Sequence, residues 1–388
     1  FVYKAFVFFS KTFINTYSYS FNMNLGYQKS ESKAVDAIKR AIPSSLKKDM
    51  LGISNGMFAE LYENNEVSPS HYIATAIDGV GTKVIIASAM RKFDTIGMDC
   101  VAMSANDLAT LGAVSPFLFM DYLACQSEIQ DSRIAGDIIK GVVKGLQQCD
   151  CSKIFRNSIR INFGKGETAT VDELVSSMDG YGFDIAGAMI GFIEKQKIKK
   201  QRIKPGQKII ALRSSGPHSN GYTDLRHYLL KGDFKTGAEF KKRYKGRYSL
   251  DDEFEGTTIG EVLLEPTKIY LQTMAKISKS FDAVGINNTG YGLKNFNRIK
   301  ENVEFRINMP LKPQPIFELM QMESGFSDEQ MYHTFNMGMG FFVICSKEDT
   351  EDILEIAKDA ALVGELRNGS KTITVLEKNK KRIVFKGY

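Results

Sequence analysis

The sequence lacks long apolar runs and cysteine patterns. No stretch of 18 apolar residues occurs among its 388 residues, which argues against a transmembrane helix. Its five cysteines are scattered, with only Cys149 and Cys151 close together, so a disulfide framework is not expected and a reducing compartment is favoured. The patterns Cys-x-x-Cys and His-Glu-x-x-His are absent as well, so a zinc site is not expected.

Positively charged residues only slightly outnumber negatively charged ones. Lys and Arg number 51 and Asp and Glu 45, and the net charge of +6 is too mild to make nucleic-acid binding the expected function. The sequence is 43% hydrophobic and 25% charged, as in ordinary folded proteins. A chain of this length is expected to form two or three domains and to bury a full core without metals or disulfides.

The first residues differ from the rest of the chain. Residues 1–29 contain no Asp or Glu and carry Lys4, Lys11 and Lys29. Such a basic, acid-free leader is compatible with an organellar presequence. A disordered tail and a gene start assigned too early, with Met23 as the true start, explain it as well. Residues 1–22 are therefore left out of the fold prediction.

Hydrophobic spacing predicts strands and helices that alternate in both halves, so the expected fold class is α/β or α+β. The basic segment 198–206 ends in Pro205-Gly206 and is the best candidate for a domain boundary. We therefore predict an N-terminal domain over 23–202 and a C-terminal domain over 203–388. The predicted strands are 71–77, 116–125, 183–193, 208–212 and 338–345, and the predicted helices are 30–46, 84–90, 96–111, 134–147, 222–230, 266–277 and 350–359.

The first motif suited to chemistry follows the strand predicted at 71–77. Gly79 and Gly81 would let backbone N–H groups approach a phosphate closely, with Thr82 beside them. Lys83 would add a positive charge at that phosphate, and Asp78 would hold Mg²⁺, which prefers carboxylate, phosphate and water oxygens. A tight strand-to-helix turn without a ligand explains the same pattern.

A second motif lies on the helix predicted at 96–111. At 3.6 residues per turn, Asp99 and Asn106 differ by about 20° around the helix, and Asp107 lies about 80° from Asp99. Three oxygen-bearing side chains therefore share one face, while Val101 and Leu108 suit a core. This arrangement indicates a metal platform. A solvated helix face is the alternative, although no basic residue follows at the i,i+4 spacing.

Two glycine-containing turns complete the candidates. Glu167 lies in one of them and could bind a metal or a ligand, or could belong to a surface turn. In the segment 214–222, Ser219 or Asn220 can cap the helix that follows, whose N–H groups can bind an anion. His218, one of four histidines, directly precedes Ser219 and has a side chain suited to proton transfer, although a structural role is equally consistent.

Taken in order, eight segments resemble those of the phosphoribosylformylglycinamidine cyclo-ligase family, also called aminoimidazole ribonucleotide synthetases. The resemblance runs from about residue 25 to the C-terminus. The matching segments are IDGVGTK (77–83), DTIGMDCVAMSANDL (94–108), FMDYLA (119–124), GETAT (166–170), GFDIAGAMIGFIEK (182–195), SSGPHSNGY (214–222), LLEPTKIY (263–270) and TFNMGMGF (334–341).

The resemblance implies a two-domain fold with mixed sheets flanked by helices, and a homodimer. It implies an ATP-dependent ligase that closes formylglycinamidine ribonucleotide to 5-aminoimidazole ribonucleotide, with release of ADP and phosphate, in the fifth step of purine synthesis. ATP phosphorylates the formamide oxygen, the amidine nitrogen attacks that carbon, and phosphate leaves. Mg²⁺ is the implied metal and K⁺ a candidate further cation. The enzyme would be cytoplasmic, or organellar if residues 1–22 are a presequence; no nucleic acid or membrane partner is expected.

The resemblance also distributes roles among the candidate residues. Lys83 and His218 are expected to be catalytic. Asp78, Asp99 and Asp107 are expected to bind metal. The residues expected to contact substrate or ATP are Gly79, Gly81, Thr82, Asn106, Glu167, Ser219 and Asn220.

Several positions depart from the family pattern. Lys165 and Tyr291 stand where glycine is expected, Glu31-Ser32-Lys33 replaces a Gly-Val-Asp, and the segment 152–162 is longer than expected. These departures keep alternatives open. One is a non-catalytic paralogue that binds nucleotide. Another is a sister ATP-dependent enzyme of the same fold, of the selenophosphate synthetase or thiamine-phosphate kinase type.

Overall fold

The computed structural model describes residues 41–47, 49–54, 57–130, 132–155, 160–175, 177, 180–200, 203–234, 241–299 and 301–387. The chain divides into two units, 1–50 and 51–388, and the fold described below lies in the second. The leader 1–22, the departure at 31–33 and most of the helix predicted at 30–46 lie outside the described residues. Across the described ranges, no helix is both long and apolar enough to cross a membrane.

Strands with alternating burial form the first sheet. Buried and partly exposed side chains alternate along β2 (His71–Gly79) and β6 (Phe183–Glu194). The order is β1 (Glu60–Tyr62), β2, β6, β3 (Ser115–Cys125) and β4 (Asn162–Phe163), and β5 (Glu167–Thr170) also pairs with β3. β4 and β5 run parallel to β3, whereas the other pairs are antiparallel. One face of this sheet packs on a core, and the other presents the alternate side chains.

Helices cover the buried face of the first sheet. They are α1 (Val84–Met90), α2 (Ile96–Ala109) and α3 (Ser132–Cys149), and α4 (Lys195–Lys200) follows β6. Two glycines allow α2 and α3 to pack closely, because an added Cβ at Gly97 would lie 2.1 Å from the Ile138 carbonyl oxygen. A Cβ at Gly141 would lie 2.4 Å from the Asp94 carbonyl oxygen. The helix that carries the predicted acidic platform is therefore held deep between α3 and the sheet.

The second sheet forms the core of the other half. Its strand order is β10 (Val284–Asn287), β12 (Met339–Cys345), β7 (Lys208–Arg213), β13 (Ala360–Asn368), β11 (Val303–Ile307), β14 (Ile373–Lys378) and β15 (Lys381–Lys386). Every residue of β12 is buried. A short pair, β8 (Glu253–Phe254) and β9 (Thr257–Thr258), lies apart. The helices of this half are α5 (Tyr222–Leu229), α6 (Ile259–Leu264), α7 (Leu271–Ser280), α8 (Pro315–Ser324), α9 (Asp328–Thr334) and α10 (Thr350–Ile356).

The predicted class of mixed sheets flanked by helices is confirmed, and every predicted strand has a counterpart. The helix predicted at 266–277 begins only at Leu271. Residues 266–270 do not extend it, because side chains of α2 bind their backbone, as described below. The boundary at 202/203 stays a prediction, and residues 201–202 lie outside the described part of the chain.

Candidate active site

A buried ion pair connects the first glycine motif to α2. The Lys83 Nζ lies 2.9 Å from Oδ1 and 2.8 Å from Oδ2 of Asp99, and it donates to the Glu265 carbonyl oxygen at 2.7 Å. Both side chains of the pair are 0% exposed. Because three oxygens surround the ammonium and none of it reaches the surface, Lys83 does not present its charge to a phosphate. Lys83 is the internal partner of Asp99 here, and its catalytic role stays a prediction.

Asp99 is equally enclosed. Its Oδ1 accepts from the Thr267 backbone N–H at 2.7 Å, from the Thr267 hydroxyl at 2.6 Å and from the Ser219 hydroxyl at 3.3 Å. A buried charge has to be paired and hydrogen-bonded, and Lys83 pairs this one while these donors satisfy Oδ1. Oδ2 lies 2.8 Å from the Lys83 ammonium and has no further hydrogen-bond partner among the described residues. Asp99 is therefore not placed as a metal ligand, and Ser219, whose hydroxyl points inward, is not placed as a ligand contact.

Asn106 lies two turns after Asp99 on α2 and binds the backbone of the same segment. Its Oδ1 accepts from the Tyr270 N–H at 2.8 Å, and its Nδ2 donates to the Lys268 carbonyl oxygen at 2.8 Å. The side chain is 1% exposed. Both polar atoms hold residues 268–270 in place, and the contact with ATP or substrate stays a prediction.

Asp78 and Asp107 form an acidic cluster near the buried Lys83–Asp99 pair. Asp78 ends β2 and accepts from the Gly79 N–H at 2.8 Å, whereas Asp107 accepts from the Asn287 amide at 2.8 Å. Burial raises the pKa of Asp107 to about 7, and the charge of Asp78 adds to the rise, whereas Asn287 and Arg298 oppose it. Burial also raises the pKa of Asp78, again opposed by Arg298. Two desolvated carboxylates therefore share one arginine.

Asp121 lies on the same face of the first sheet, although sequence reasoning did not single it out. Strand register pairs Gly187 of β6 with Asp78 on one side and with Asp121 on the other. At about 4.8 Å per strand, the two aspartates are separated by roughly 10 Å, and the Phe119 ring lies over the Gly187 position between them. The Asp121 Oδ1 is buried without a hydrogen-bond partner among the described residues, and burial raises its pKa.

The chemistry of these acids fits a hard cation. Carboxylate oxygens from Asp78, Asp107 and Asp121 are ligands that Mg²⁺ takes together with water and phosphate. Within the described ranges, no group of three or more His, Cys, Asp or Glu side chains is arranged to hold a metal ion alone. The predicted trio of Asp78, Asp99 and Asp107 is thus not formed, since Asp99 is bound by Lys83.

His218 occupies the turn before α5 in a buried, left-handed conformation, with φ +61° and 4% exposure. Its Nε2 accepts from the Ser215 N–H at 3.4 Å and lies 3.5 Å from the Tyr270 hydroxyl. Burial lowers the pKa of His218 to about 3, and the charges of Lys83 and Lys268 add to the decrease. The imidazole is therefore neutral near pH 7, and its catalytic role stays a prediction.

The two C-terminal motifs pack on each other at this turn. An added Cβ at Gly340 would lie 2.0 Å from the Tyr270 hydroxyl oxygen and 2.5 Å from the His218 Cε1. Asn336 donates to the Gly216 carbonyl oxygen at 2.8 Å and accepts from the Ser214 hydroxyl at 3.0 Å. The glycine and the asparagine of TFNMGMGF thus hold the segment 214–220 in place.

The remaining predicted residues are more exposed. Gly81, in the left-handed region at φ +71°, and Thr82 are exposed at the turn after β2, and Asn220 is half-buried. The Glu167 side chain is 60% exposed and lies 3.9 Å from the Lys165 ammonium, an ion pair that contributes little to stability. The structure does not bring Glu167 into contact with the buried Lys83–Asp99 pair.

Of the residues that depart from the family pattern, Lys165 is exposed and Tyr291 is half-buried. The Tyr291 ring meets the His333 ring edge-on at 6.4 Å. Position 290 keeps its glycine, and an added Cβ there would lie 3.5 Å from the Asn220 Oδ1. Of the long segment 152–162, residues 156–159 lie outside the described part of the chain.

Sequence reasoning missed Thr267, Tyr270, Asp121, Asn287 and Arg298. Thr267 and Tyr270 belong to LLEPTKIY and Asp121 to FMDYLA, two segments that carried the resemblance without a role. Periodicity gave no signal for them, because each acts through a partner that is distant in sequence.

Comparisons with known proteins agree with this architecture. The family model of the AIR synthase related protein, N-terminal domain, matches residues 59–193, and that of its C-terminal domain matches residues 204–377. A phosphoribosylformylglycinamidine cyclo-ligase of Pyrococcus furiosus is 39% identical over 74% of this chain and 76% of its own length. One of Clostridium botulinum is 33% identical over 92% and 97%.

Solved structures share the fold at low identity. Hydrogenase maturation protein HypE has a TM-score of 0.53 at 14% identity and covers 88% of this chain and 96% of its own. A thiamine-monophosphate kinase from Stenotrophomonas maltophilia has a TM-score of 0.52 at 14% identity and covers 85% and 91%. At this identity the likeness concerns the fold alone.

Proposed function

The chain belongs to the phosphoribosylformylglycinamidine cyclo-ligase family, and we propose that it closes formylglycinamidine ribonucleotide to 5-aminoimidazole ribonucleotide. It is an ATP-dependent ligase of purine synthesis, and ADP and phosphate are its other products. The observation that carries the proposal is that hydrogen bonds connect motifs distant in sequence. Lys83 bonds to Glu265, 182 positions away, and Asp99 bonds to Ser219, 120 positions away. Motifs scattered along the sequence therefore meet at one place.

The nucleotide side of the site is the turn after β2 together with the acidic cluster. Gly81 and Thr82 offer backbone N–H groups to the phosphates, and Gly79, whose own N–H donates to Asp78, lets the backbone approach them closely. Asp78 and Asp107 would hold Mg²⁺, with Asp121 as a further carboxylate on that face of the sheet, and the bound ion would supply positive charge against the transferred phosphoryl group. The positive charge of Arg298 lowers the pKa of both Asp78 and Asp107 and so favours their charged forms.

The substrate side is the segment 214–220. Asn220, half-buried beside Gly290, is the side chain of this turn that contacts the ligand. His218 stays neutral and holds the turn through Ser215 and Tyr270. Glu167 reaches a ligand only from the edge of the first sheet, since its side chain is exposed. Phosphoryl transfer depends on such positioning more than on a strong base.

The outer face of the first sheet is the proposed dimer interface. One row across it consists of Ile77, Ala188 and Met120, which are paired by strand register. Ile77 is 75% exposed, and Tyr122 on the same face is 47% exposed. Exposed apolar patches of this kind mark interaction surfaces, and a second copy covers the face in a homodimer. The proposed location of the enzyme is the cytoplasm.

The test is an assay of purified protein with formylglycinamidine ribonucleotide, Mg²⁺ and ATP. We expect ADP release that depends on the substrate and equals the aminoimidazole ribonucleotide formed. Asp78→Asn is expected to lower the rate by about 100-fold, because a metal ligand is lost. The exposed Asp251→Asn is the matched control and is expected to retain full activity.

Two outcomes would contradict this assignment. Calorimetric binding of Mg·ATP without substrate-dependent ADP release would identify a non-catalytic nucleotide-binding paralogue. Full turnover by Asp78→Asn would show that the metal is held elsewhere. Exchange of K⁺ for Na⁺ in the same assay measures any requirement for a monovalent cation.

A further inference from the structure

We propose that Asp99 is a positioning residue, which fixes the ligand-binding turn 214–220 through Thr267 and Ser219. The inference rests on the proposed function for the meaning of the turn, but its structural part can be measured without catalysis. It replaces the metal-binding role that the sequence suggested for this aspartate.

The turn is attached to the segment 265–267 at both of its ends. At the first end, the Ser215 hydroxyl donates to the Pro266 carbonyl oxygen at 2.6 Å. At the second end, the Ser219 hydroxyl lies 3.0 Å from the Thr267 Oγ1 and bonds to Asp99 at 3.3 Å. His218 lies between these two attachments, and Asn220 follows the second directly.

The segment 265–267 is in turn attached to α1 and α2. Asp99 accepts from both the backbone N–H and the hydroxyl of Thr267, and Lys83 donates to the carbonyl oxygen of Glu265. Hydrogen bonds to a charged group are shorter and stronger than neutral ones, and those of Thr267 measure 2.7 and 2.6 Å. The position of the turn is therefore set by the buried charge pair.

A purely structural role would not require this chemistry. An apolar pair of similar volume stabilises a core as well as a buried ion pair does, or better. Such a pair could not accept hydrogen bonds from Thr267 and Ser219, so the direction of the turn would be lost. The Asp99 carboxylate is therefore needed because it accepts the hydrogen bonds that orient the turn 214–220.

The experiment uses the full chain and the mild variant Thr267→Val, because Asp99→Ala would leave Lys83 buried without a counter-charge. Loss of a hydrogen bond to a charged group shifts the equilibrium between the attached and the detached turn by a factor of about 10 or more. We expect amide hydrogen exchange in 214–220 to accelerate by about that factor, and the KM of one substrate to rise similarly. Thr267→Ser keeps the hydroxyl and is expected to restore both values.

Thr350→Val is the matched control, because Thr350 is also buried and its hydroxyl donates to the Ser346 carbonyl oxygen at 3.1 Å. This variant is expected to leave exchange in 214–220 and both KM values unchanged. Ser219→Ala is a second test and should act as Thr267→Val does.

The proposal is overturned if Thr267→Val lowers the melting temperature without faster exchange in 214–220. It is also overturned if exchange accelerates while KM and kcat stay as in the wild type. An inactive wild-type protein would refute the proposed function instead, and the exchange measurement would still decide whether Asp99 holds the turn.

Discussion

Replacement of His218 by Asn gives the sharpest test of the buried turn. The residue has a φ of +61°, a conformation that Asn tolerates better than most residues, so backbone strain is kept low. The substitution removes the imidazole and its proton equilibrium together. The difference in stability between wild type and variant as a function of pH then reports the titration of His218 alone, because all other groups cancel.

The magnitude follows from the pKa of about 3 in the folded state against the ordinary 6.5. Below pH 6.5 the unfolded chain binds a proton at this histidine and the folded chain does not, so wild-type stability falls as the pH falls. The loss is about 1.4 kcal/mol per pH unit until the pH approaches 3. Between pH 7.5 and 5 the wild type therefore loses about 2 kcal/mol that His218→Asn does not lose.

The assay is urea unfolding of both proteins at pH 7.5, 6 and 5, with stability taken from the midpoint and the slope. The destabilisation caused by His218→Asn is expected to be greatest at pH 7.5 and to shrink by about 2 kcal/mol at pH 5. A difference that stays constant over this range would refute the reasoning, because it would mean that the histidine titrates alike in both states.

Two further substitutions test the packing and the interface. Gly340→Ala is expected to destabilise the protein by about 1–3 kcal/mol, because its Cβ would lie 2.0 Å from the Tyr270 hydroxyl oxygen. Gly136→Ala on α3 is its control, since an added Cβ there meets nothing within 4 Å, and unfolding should show equal or higher stability. Ile77→Lys on the outer face of the first sheet is expected to convert a dimer to monomers in sedimentation velocity. Unchanged mass would place the interface elsewhere.

Local patterns predicted the elements that carry their own signal. The period of two in β2 and β6 was readable because burial alternates along each strand. Nearly every residue of α2 is buried, so its helix was predicted without a burial period. The helix predicted from residue 266 was wrong at its start, because Asn106 and Asp99 bind the backbone of residues 267–270 from 160 or more positions away. No window of local sequence contains that information.

The site was predictable as a set of segments, but not as a set of roles. Asp78 and Asp107 interact electrostatically, and their joint assignment to a metal site stays a prediction. Asp99, Lys83 and Asn106 are also polar residues whose types suit a ligand site. Only the fold reveals that their polar atoms bond to other parts of the protein. Internal partners, rather than residue type, distinguish Asp99, which pairs with Lys83 and Thr267, from Asp78 and Asp107.

The Lys83–Asp99 pair also bears on attempts to divide the chain. The residues that cover it, Glu265 and Thr267, are contributed by the C-terminal half. A fragment cut near residue 203 would leave an ammonium and a carboxylate at a bare apolar surface, and its counterpart would lose the anchor of residues 265–267. Neither piece should be soluble and ordered by itself, whereas co-expressed pieces should reassemble around the shared charges.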